Sequence, residues 1–182
     1  MKFCSACGKP VNLRIPSGDD RDRHICDHCD TIHYQNPRII AGCVPIYQGQ
    51  VLLCKRAIEP RYGYWTLPAG FMENGETTVE GAIRECWEEA EAKMNQLELY
   101  TMVDIPHINQ VYMFFLGELA TPEFAAGAES LEVALFEEEN IPWDEIAFPS
   151  VTTTLEHYFN DRKTGNYAVR TDTVHRKSTR AK

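Results

Sequence analysis

The 182-residue chain lacks any apolar run approaching the roughly 20 residues that a membrane-spanning helix needs, so no segment of it reads as a span. It lacks a basic and apolar leader: Cys4 arrives almost at once, and the expectation is a mature, cytoplasmic protein. It also lacks positive charge in excess. Lys and Arg number 18 against 27 Asp and Glu, a formal net charge of −9. That argues against a general nucleic-acid coat, which needs clustered cations to engage phosphates. An acidic protein can still act on phosphates where a divalent metal supplies positive charge locally. There is no internal repeat. Three of the seven cysteines, Cys43, Cys54 and Cys86, stand alone with no cationic cluster around them, and they read as small buried hydrophobes in a reducing compartment.

What is present fits one ordinary domain with a core and a small appendage: hydrophobic residues make up 43% and charged residues 25%. Residues 1–35 stand apart by composition. They have few large apolar side chains and need a staple to fold. Cys4-x-x-Cys7 and Cys26-x-x-Cys29, separated by 18 residues, supply one. Four thiolates match the tetrahedral preference of Zn²⁺, and each tight turn presents two sulfurs. Gly8 follows the first pair, where the knuckle needs an unrestricted backbone. A closed four-sulfur site holds the fold and leaves no position for catalytic water. Two disulfides are the alternative, and His24, His28 and His33 are spare ligands. Such ribbons also bind nucleic acid or protein, which gives a second class of reading: a binding module beside an inactive domain. Lys9, Arg14, Arg21 and Arg23 are offset by Asp19, Asp20, Asp22 and Asp27, so no patch of one sign forms.

The step Asn36-Pro37 reads as a hinge into a domain over residues 36–160. Ile39–Tyr47 and Val51–Lys55, split by Gln48-Gly49-Gln50, predict a β-hairpin. Trp65–Phe71 predicts a short strand interrupted by Pro68 and Gly70. Thr77–Ala92 predicts a helix whose apolar stripe is Val79, Ile83, Cys86 and Ala90. Leu97–Val103, Val111–Leu119 and Leu131–Phe136 predict strands, and Ser150–Asn160 a last helix with Ser150 as N-cap. Residues 161–182 are polar and basic without periodicity, and predict a frayed tail. Strands on both sides of a mid-chain helix, then another helix, predict a mixed sheet between helices.

Within the helix, Arg84-Glu85-Cys86-Trp87-Glu88-Glu89 gathers Glu85, Glu88 and Glu89 on one face at i, i+3 and i+4. Taken alone, a glutamate cluster is usually a solvated face. Like charges at this spacing nevertheless repel unless neutralised, and hard oxygens so placed suit Mg²⁺ or Mn²⁺. Gly70, five residues, Glu76, seven residues, then Arg84-Glu85-Cys86-x-Glu88-Glu89 resembles the loop-helix-loop signature of the Nudix hydrolase superfamily. The match holds to Ala90 and then departs: the family has glycine where this chain has Glu91, and an aliphatic residue where it has Ala92. The usual glycine would end the helix in a left-handed conformation. Trp65-x-Leu67-Pro68-Ala69-Gly70 is similar to the strand leading into that signature, and the whole chain looks most like the zinc-ribbon ADP-ribose/FAD pyrophosphatases.

That resemblance implies an α/β (α+β) fold, an α/β/α sandwich with a mixed sheet, preceded by the ribbon. It implies hydrolysis of the pyrophosphate bond of a nucleoside diphosphate derivative, with Mg²⁺ or Mn²⁺ on Glu85 and Glu89, Glu88 assisting and the Gly70 carbonyl added. Arg84 would orient the glutamates, and Glu76 would pair with Arg84 or hold the loop. Glu129, in Gly127-Ala128-Glu129-Ser130, is the candidate general base, with a surface carboxylate as the bland alternative. Tyr62, Tyr64, Trp65 and Phe71 flank the loop and are candidates to stack on a base or flavin, although aromatics beside strands are often core. Arg56 and Arg61 are candidate phosphate contacts. Pro106 resembles a proline of ADP-ribose pyrophosphatases, while the proline-rich array of NADH pyrophosphatases is missing. ADP-ribose is therefore the first substrate expected and FAD the second, with NADH and nucleoside triphosphates after them. The relatives imply a homodimer acting on a small nucleotide, while the hydropathy points away from a membrane partner and the charge away from a nucleic-acid one.

Overall fold

The cysteine-bearing segment has little to bury: its buried hydrophobic side chains are Cys4, Ile25 and Cys26. It nonetheless forms a three-stranded antiparallel sheet of β1 (Asn12–Arg14), β2 (Arg23–Ile25) and β3 (Ile32–His33) in that order. The computed structural model describes residues 1–176. The chain divides into two units, Met1–Pro37 and Arg38–Lys182.

The second unit is built on a mixed sheet. Its elements are β4 (Arg38–Tyr47), β5 (Gln50–Arg56), β6 (Trp65–Thr66), β7 (Ala69–Phe71), α1 (Thr78–Ala90), β8 (Glu98–Ile105), β9 (Gln110–Glu118), β10 (Ser130–Phe136), α2 (Pro149–Arg162) and β11 (Arg170–Thr173). Gln48 and Gly49 turn the first hairpin with φ of 51° and 82°, the two left-handed residues of a tight hairpin loop. The sheet order is β10-β5-β4-β9-β8-β11, with β6 on β5 and β7 on β4. β4 runs parallel to β9 and β8 parallel to β11; the other pairs are antiparallel. The single strand expected over Trp65–Phe71 is two, because Pro68, with no N–H to give, stands where the chain changes partner from β5 to β4.

Strand alternation divides the core into two layers. Ala41 and Cys43 of β4 and Leu52 and Cys54 of β5 pack with Ala82, Cys86 and Ala90 of α1. Val44 and Ile46, with Val51 and Leu53, pack with Val151, Leu155, Tyr158 and Phe159 of α2. β4 is buried on both faces, as a central strand must be. This is the α/β/α sandwich, with one helix on each face. No helix among the described residues is long and apolar enough to cross a membrane.

Three expectations are corrected. In α1 the buried line is Ala82, Cys86 and Ala90, while Ile83 is 39% exposed: the helix is rotated so that Glu85 and Glu89 are buried too. Ser150 does not cap α2. Phe148 occupies that position, Pro149 opens the helix, and the buried Ser150 hydroxyl has no partner among the described residues. The stretch from residue 161 is not a frayed tail as far as residue 176. α2 runs to Arg162, and β11 is tied to it by Arg170 on Asp161 and His157 on Asp172. Residues 177–182 of the expected tail lie outside the described residues.

Candidate functional site

The two cysteine turns of the ribbon are copies of one another. Cys4 N–H donates to Lys9 O at 2.8 Å, and Cys26 N–H to Thr31 O at 3.0 Å, five residues on in each case. The residue after each second cysteine, Gly8 or Asp30, takes positive φ, 73° or 55°. The four cysteines are free thiols, with Cys4 Sγ 3.7 Å from Cys29 Sγ and Cys7 Sγ 3.5 Å from Cys26 Sγ. Zn–S bonds of about 2.3 Å in a tetrahedron put sulfurs roughly 3.8 Å apart, so the cluster fits that ion. His33 Nε2 lies 3.3 Å from Cys4 Sγ and the Thr31 hydroxyl 3.1 Å from Cys29 Sγ, partners that orient ligands instead of replacing them. Two disulfides are not formed.

The second site is set by the start of α1. Thr77 and Glu80 form a reciprocal capping box, Glu80 N–H on the Thr77 hydroxyl and Thr77 N–H on the Glu80 carboxylate. This fixes the phase of the helix that follows. Arg84 then ties helix to loop. Its Nε and Nη2 donate to the two oxygens of Glu76 at 3.0 and 2.8 Å, and Nη2 also to Phe71 O at 3.2 Å. Its Nη1 reaches Glu85 at 2.7 Å and Glu88 at 3.0 Å. The Arg84 guanidinium, with help from the Glu73 N–H, holds the Glu76 carboxyl down to about 2.

Among the described residues no cation is bonded to Glu89. It is 6% exposed, accepts the Ala69 N–H at 3.2 Å, and burial, followed by the charge of Glu85, pushes its carboxyl up to about 8. Burial likewise raises Glu85, against the pull of Arg84. Two desolvated carboxylates, each raised by burial and by neighbouring acidic charge, make a site that gains by taking a hard dication. A Cβ on Gly70 would lie 2.3–2.4 Å from the Glu85 carboxylate, so a side chain there would displace that carboxylate. Among the described residues the four cysteines alone bring three or more ligand atoms all within 4.8 Å; the α1 glutamates are spread wider, with Arg84 between Glu85 and Glu88.

Glu129 is brought to these carboxylates by the loop before β10. Ala125 N–H donates to Ala90 O at 2.9 Å and Gly127 N–H to Glu89 O at 3.1 Å, satisfying carbonyls that the end of α1 leaves open. A Cβ on Gly127 would meet Glu88 O at 1.8 Å, so only glycine lets the loop come this close. Two residues later Glu129 lines the cleft, and its charge raises both Glu85 and Glu89.

The cleft itself encloses about 1130 Å³. It brings together Gly70, Phe71, Arg84, Glu85, Glu88, Glu89, Glu129, Arg56 and Arg61 from the sequence reading. It does not include Tyr62, Tyr64 or Trp65. Trp65 is a core residue, edge-on to Phe136 at 4.9 Å with Lys55 over its face, and has no free face for a ligand ring. Tyr62 is exposed, and Tyr64 carries Arg61 over its ring. Phe71 remains available at the rim, half exposed with Arg38 on one face. Arg56 is buried, bonded to Pro60 O at 2.9 Å and stacked over Phe148. The apolar lining includes Ile40, Tyr112 and Phe114, three β-strand side chains that the sequence reading did not single out. His107, His175 and Arg176 also line it and carried no signal in the sequence.

Comparison with known proteins places both units. Residues 2–35 match the zinc-ribbon model described as Nudix N-terminal, and residues 36–158 match the NUDIX domain. The chain is 30% identical over 135 residues to the NAD-capped RNA hydrolase NudC of Edwardsiella ictaluri, covering 73% of this chain and 50% of that protein. It is 31% identical over 144 residues to NudC of Salmonella heidelberg, covering 78% and 53%. It thus spans about half the length of these curated relatives. A crystal structure of a NUDIX hydrolase from Nitrosomonas europaea superposes with a TM-score of 0.94 at 53% identity, covering 97% of this chain and all of that one. An ADP-ribose pyrophosphatase of Streptococcus suis shares the fold at a TM-score of 0.62 and 18% identity, covering 75% and 100%. With a family model over most of its length and the α1 carboxylates facing one cleft, the chain belongs to the Nudix hydrolases and carries that family's N-terminal ribbon.

Proposed function

We propose that this chain hydrolyses the pyrophosphate bond of a nucleoside diphosphate derivative, with ADP-ribose and FAD as the first substrates to consider. The observation that carries the reading is the pair of buried carboxylates, Glu85 and Glu89, facing a cleft large enough for a two-part nucleotide. Mg²⁺ or Mn²⁺, when bound there, would neutralise phosphate charge and lower the pKa of a bound water. Glu85 and Glu89 would hold it, with Glu88 and the Gly70 carbonyl assisting. Arg84 keeps Glu85 and Glu88 turned to the cleft by charge-assisted bonds, anchored on Glu76. Glu129, beside both buried carboxylates, would take the proton of the attacking water. Zn²⁺ would sit in the ribbon and do no chemistry.

A second substrate reading rests on the curated relatives. They are named for NAD-capped RNA, so an NAD-type pyrophosphate, NADH included, stands beside ADP-ribose. One screen decides among them: turnover of ADP-ribose, FAD, NADH, NAD-capped RNA and nucleoside triphosphates with Mg²⁺ and with Mn²⁺. The expected result is kcat/KM highest for an ADP-ribosyl or flavin dinucleotide. Preference for a nucleoside triphosphate, or no turnover of any, would sink the reading.

A further inference from the structure

Seven residues separate Glu76 from Arg84, and the signature leaves all seven free. One of them, Gly81, is a poor choice for where it stands. It is buried within α1, and its N–H already donates to Thr77 O at 2.9 Å in the helix ladder. Its backbone is helical, so no left-handed turn asks for glycine. Alanine is the best helix former at such a position and glycine among the worst. The place of the missing methyl is taken by the Glu76 carboxylate. A Cβ on Gly81 would lie 2.8 Å from Glu76 Oε1 and 3.3 Å from its Cδ, with Ala41 Cβ of β4 next at 3.4 Å.

The atom that would have to yield is the one that ties loop to helix. Glu76 Oε1 accepts the Glu73 N–H at 2.7 Å and Arg84 Nη2 at 2.8 Å, while Oε2 accepts Arg84 Nε at 3.0 Å. The helix has little room to back away, because Ala82, Cys86 and Ala90 seat it against β4 and β5. A methyl at position 81 therefore displaces the carboxylate, and Arg84 loses its anchor while its Nη1 still reaches Glu85 and Glu88. A guanidinium freed from Glu76 competes with a dication for those two carboxylates.

We infer that Gly81 is a positioning residue. Its missing side chain makes the slot that seats the Glu76 carboxylate and, through Arg84, sets Glu85 and Glu88 for a metal. The second step rests on the reading of α1 as the metal-bearing helix.

The test uses the full chain with zinc in its ribbon, as wild type, G81A, E76A and E76A/G81A. Mn²⁺ affinity is read from the paramagnetic resonance of free Mn²⁺, and Tm is measured with no Mg²⁺ or Mn²⁺ added. G81A binds Mn²⁺ about tenfold more weakly, the loss that follows when the partners of a ligating carboxylate are disturbed, and gains no Tm. Once E76A has removed the carboxylate, the same alanine weakens Mn²⁺ no further and raises Tm by about 2–4 °C, the ordinary gain of alanine over glycine in a helix. G81A with wild-type Mn²⁺ affinity and a raised Tm overturns the proposal. So does an equal fall of Tm in both backgrounds, which would put the clash on Ala41 and β4. If G81A does not fold, a folded E76A/G81A upholds the slot and an unfolded one overturns it. Wild-type protein that binds no Mn²⁺ sinks the metal reading and the second step with it, while the Tm cycle still judges the seat of Glu76 on Gly81.

Discussion

Glu89 concentrates the chemistry of the site in one ionisation. Its carboxyl is pushed up to about 8 in the fold against an ordinary value of 4.5. The folded state therefore binds a proton that the unfolded chain releases in this window. The stability this confers is complete below about pH 4.5 and is lost as pH rises through about 8. Metal-free protein is thus expected to lose Tm between pH 6 and pH 8.5, at roughly 2–4 °C per kcal/mol for a domain of this size. Saturating Mg²⁺ or Mn²⁺ should cancel the loss, because the dication takes the place of the proton, and metal affinity should rise over the same range. Glu89→Gln should flatten the Tm profile and abolish both turnover and that metal site; a profile as steep as wild type in this variant would contradict the assignment. Glu129→Gln separates from it. It should cut kcat by about 100-fold or more with metal affinity retained, and near-normal turnover would return Glu129 to the surface. The positions of the glutamates were legible because i, i+3 and i+4 spacing on a helix fixes a face. The aromatics were not: Tyr62, Tyr64 and Trp65 sit just before the Gly70 loop in sequence, but β6 turns Trp65 into the core, and adjacency along a chain says nothing about which way a strand residue faces.

The end of α1 is the element-scale departure from the family pattern. Glu91 takes φ 48°, ψ 26° and closes the helix with its N–H on Trp87 O, the conformation in which glycine is usual. The helix stops where the family stops it, at the cost of a side chain in the left-handed region, about 1 kcal/mol. Glu91 is exposed, so Glu91→Gly should raise stability by about 0.5–1 kcal/mol in chemical denaturation with kcat unchanged. No gain would mean that Glu91 holds the cap by a contact of its own. The adjoining loop behaves oppositely. Gly127→Ala places a methyl against the Glu88 carbonyl, with backbone on both sides, and should cost about 1–3 kcal/mol and at least tenfold in kcat as Glu129 is moved. Wild-type stability in that variant would show that the loop yields. Helices and hairpins were readable because each announces itself by apolar period or turn residues. β11 was not, since backbone ladder bonds and the Arg170–Asp161 pair hold it, and neither leaves a period in the sequence.

At the scale of the molecule, the two units are held by different physics, and removal of metal should tell them apart. The second unit has two core layers built from its own strands and helices. The ribbon buries Ile25 and two of its own cysteines, far too little apolar area to offset the entropy of ordering 37 residues, so its fold is expected to depend on a metal held by its four cysteines. The seven cysteines report this directly. Cys43, Cys54 and Cys86 are closed from solvent in the sandwich; the neighbouring Cys86 thiol and burial raise the thiol of Cys43, and burial with the charge of Glu89 raises that of Cys54, both well above their ordinary range. Treatment of native protein with a strong zinc chelator should release one equivalent of Zn²⁺ and make four thiols react with an aromatic disulfide reagent. The other three should react only when denaturant unfolds the sandwich. Mass mapping should place the four at Cys4, Cys7, Cys26 and Cys29. Seven thiols reacting together on chelation would mean that the sandwich needs the ribbon to stay folded, and none reacting would mean that the ribbon holds its fold without metal.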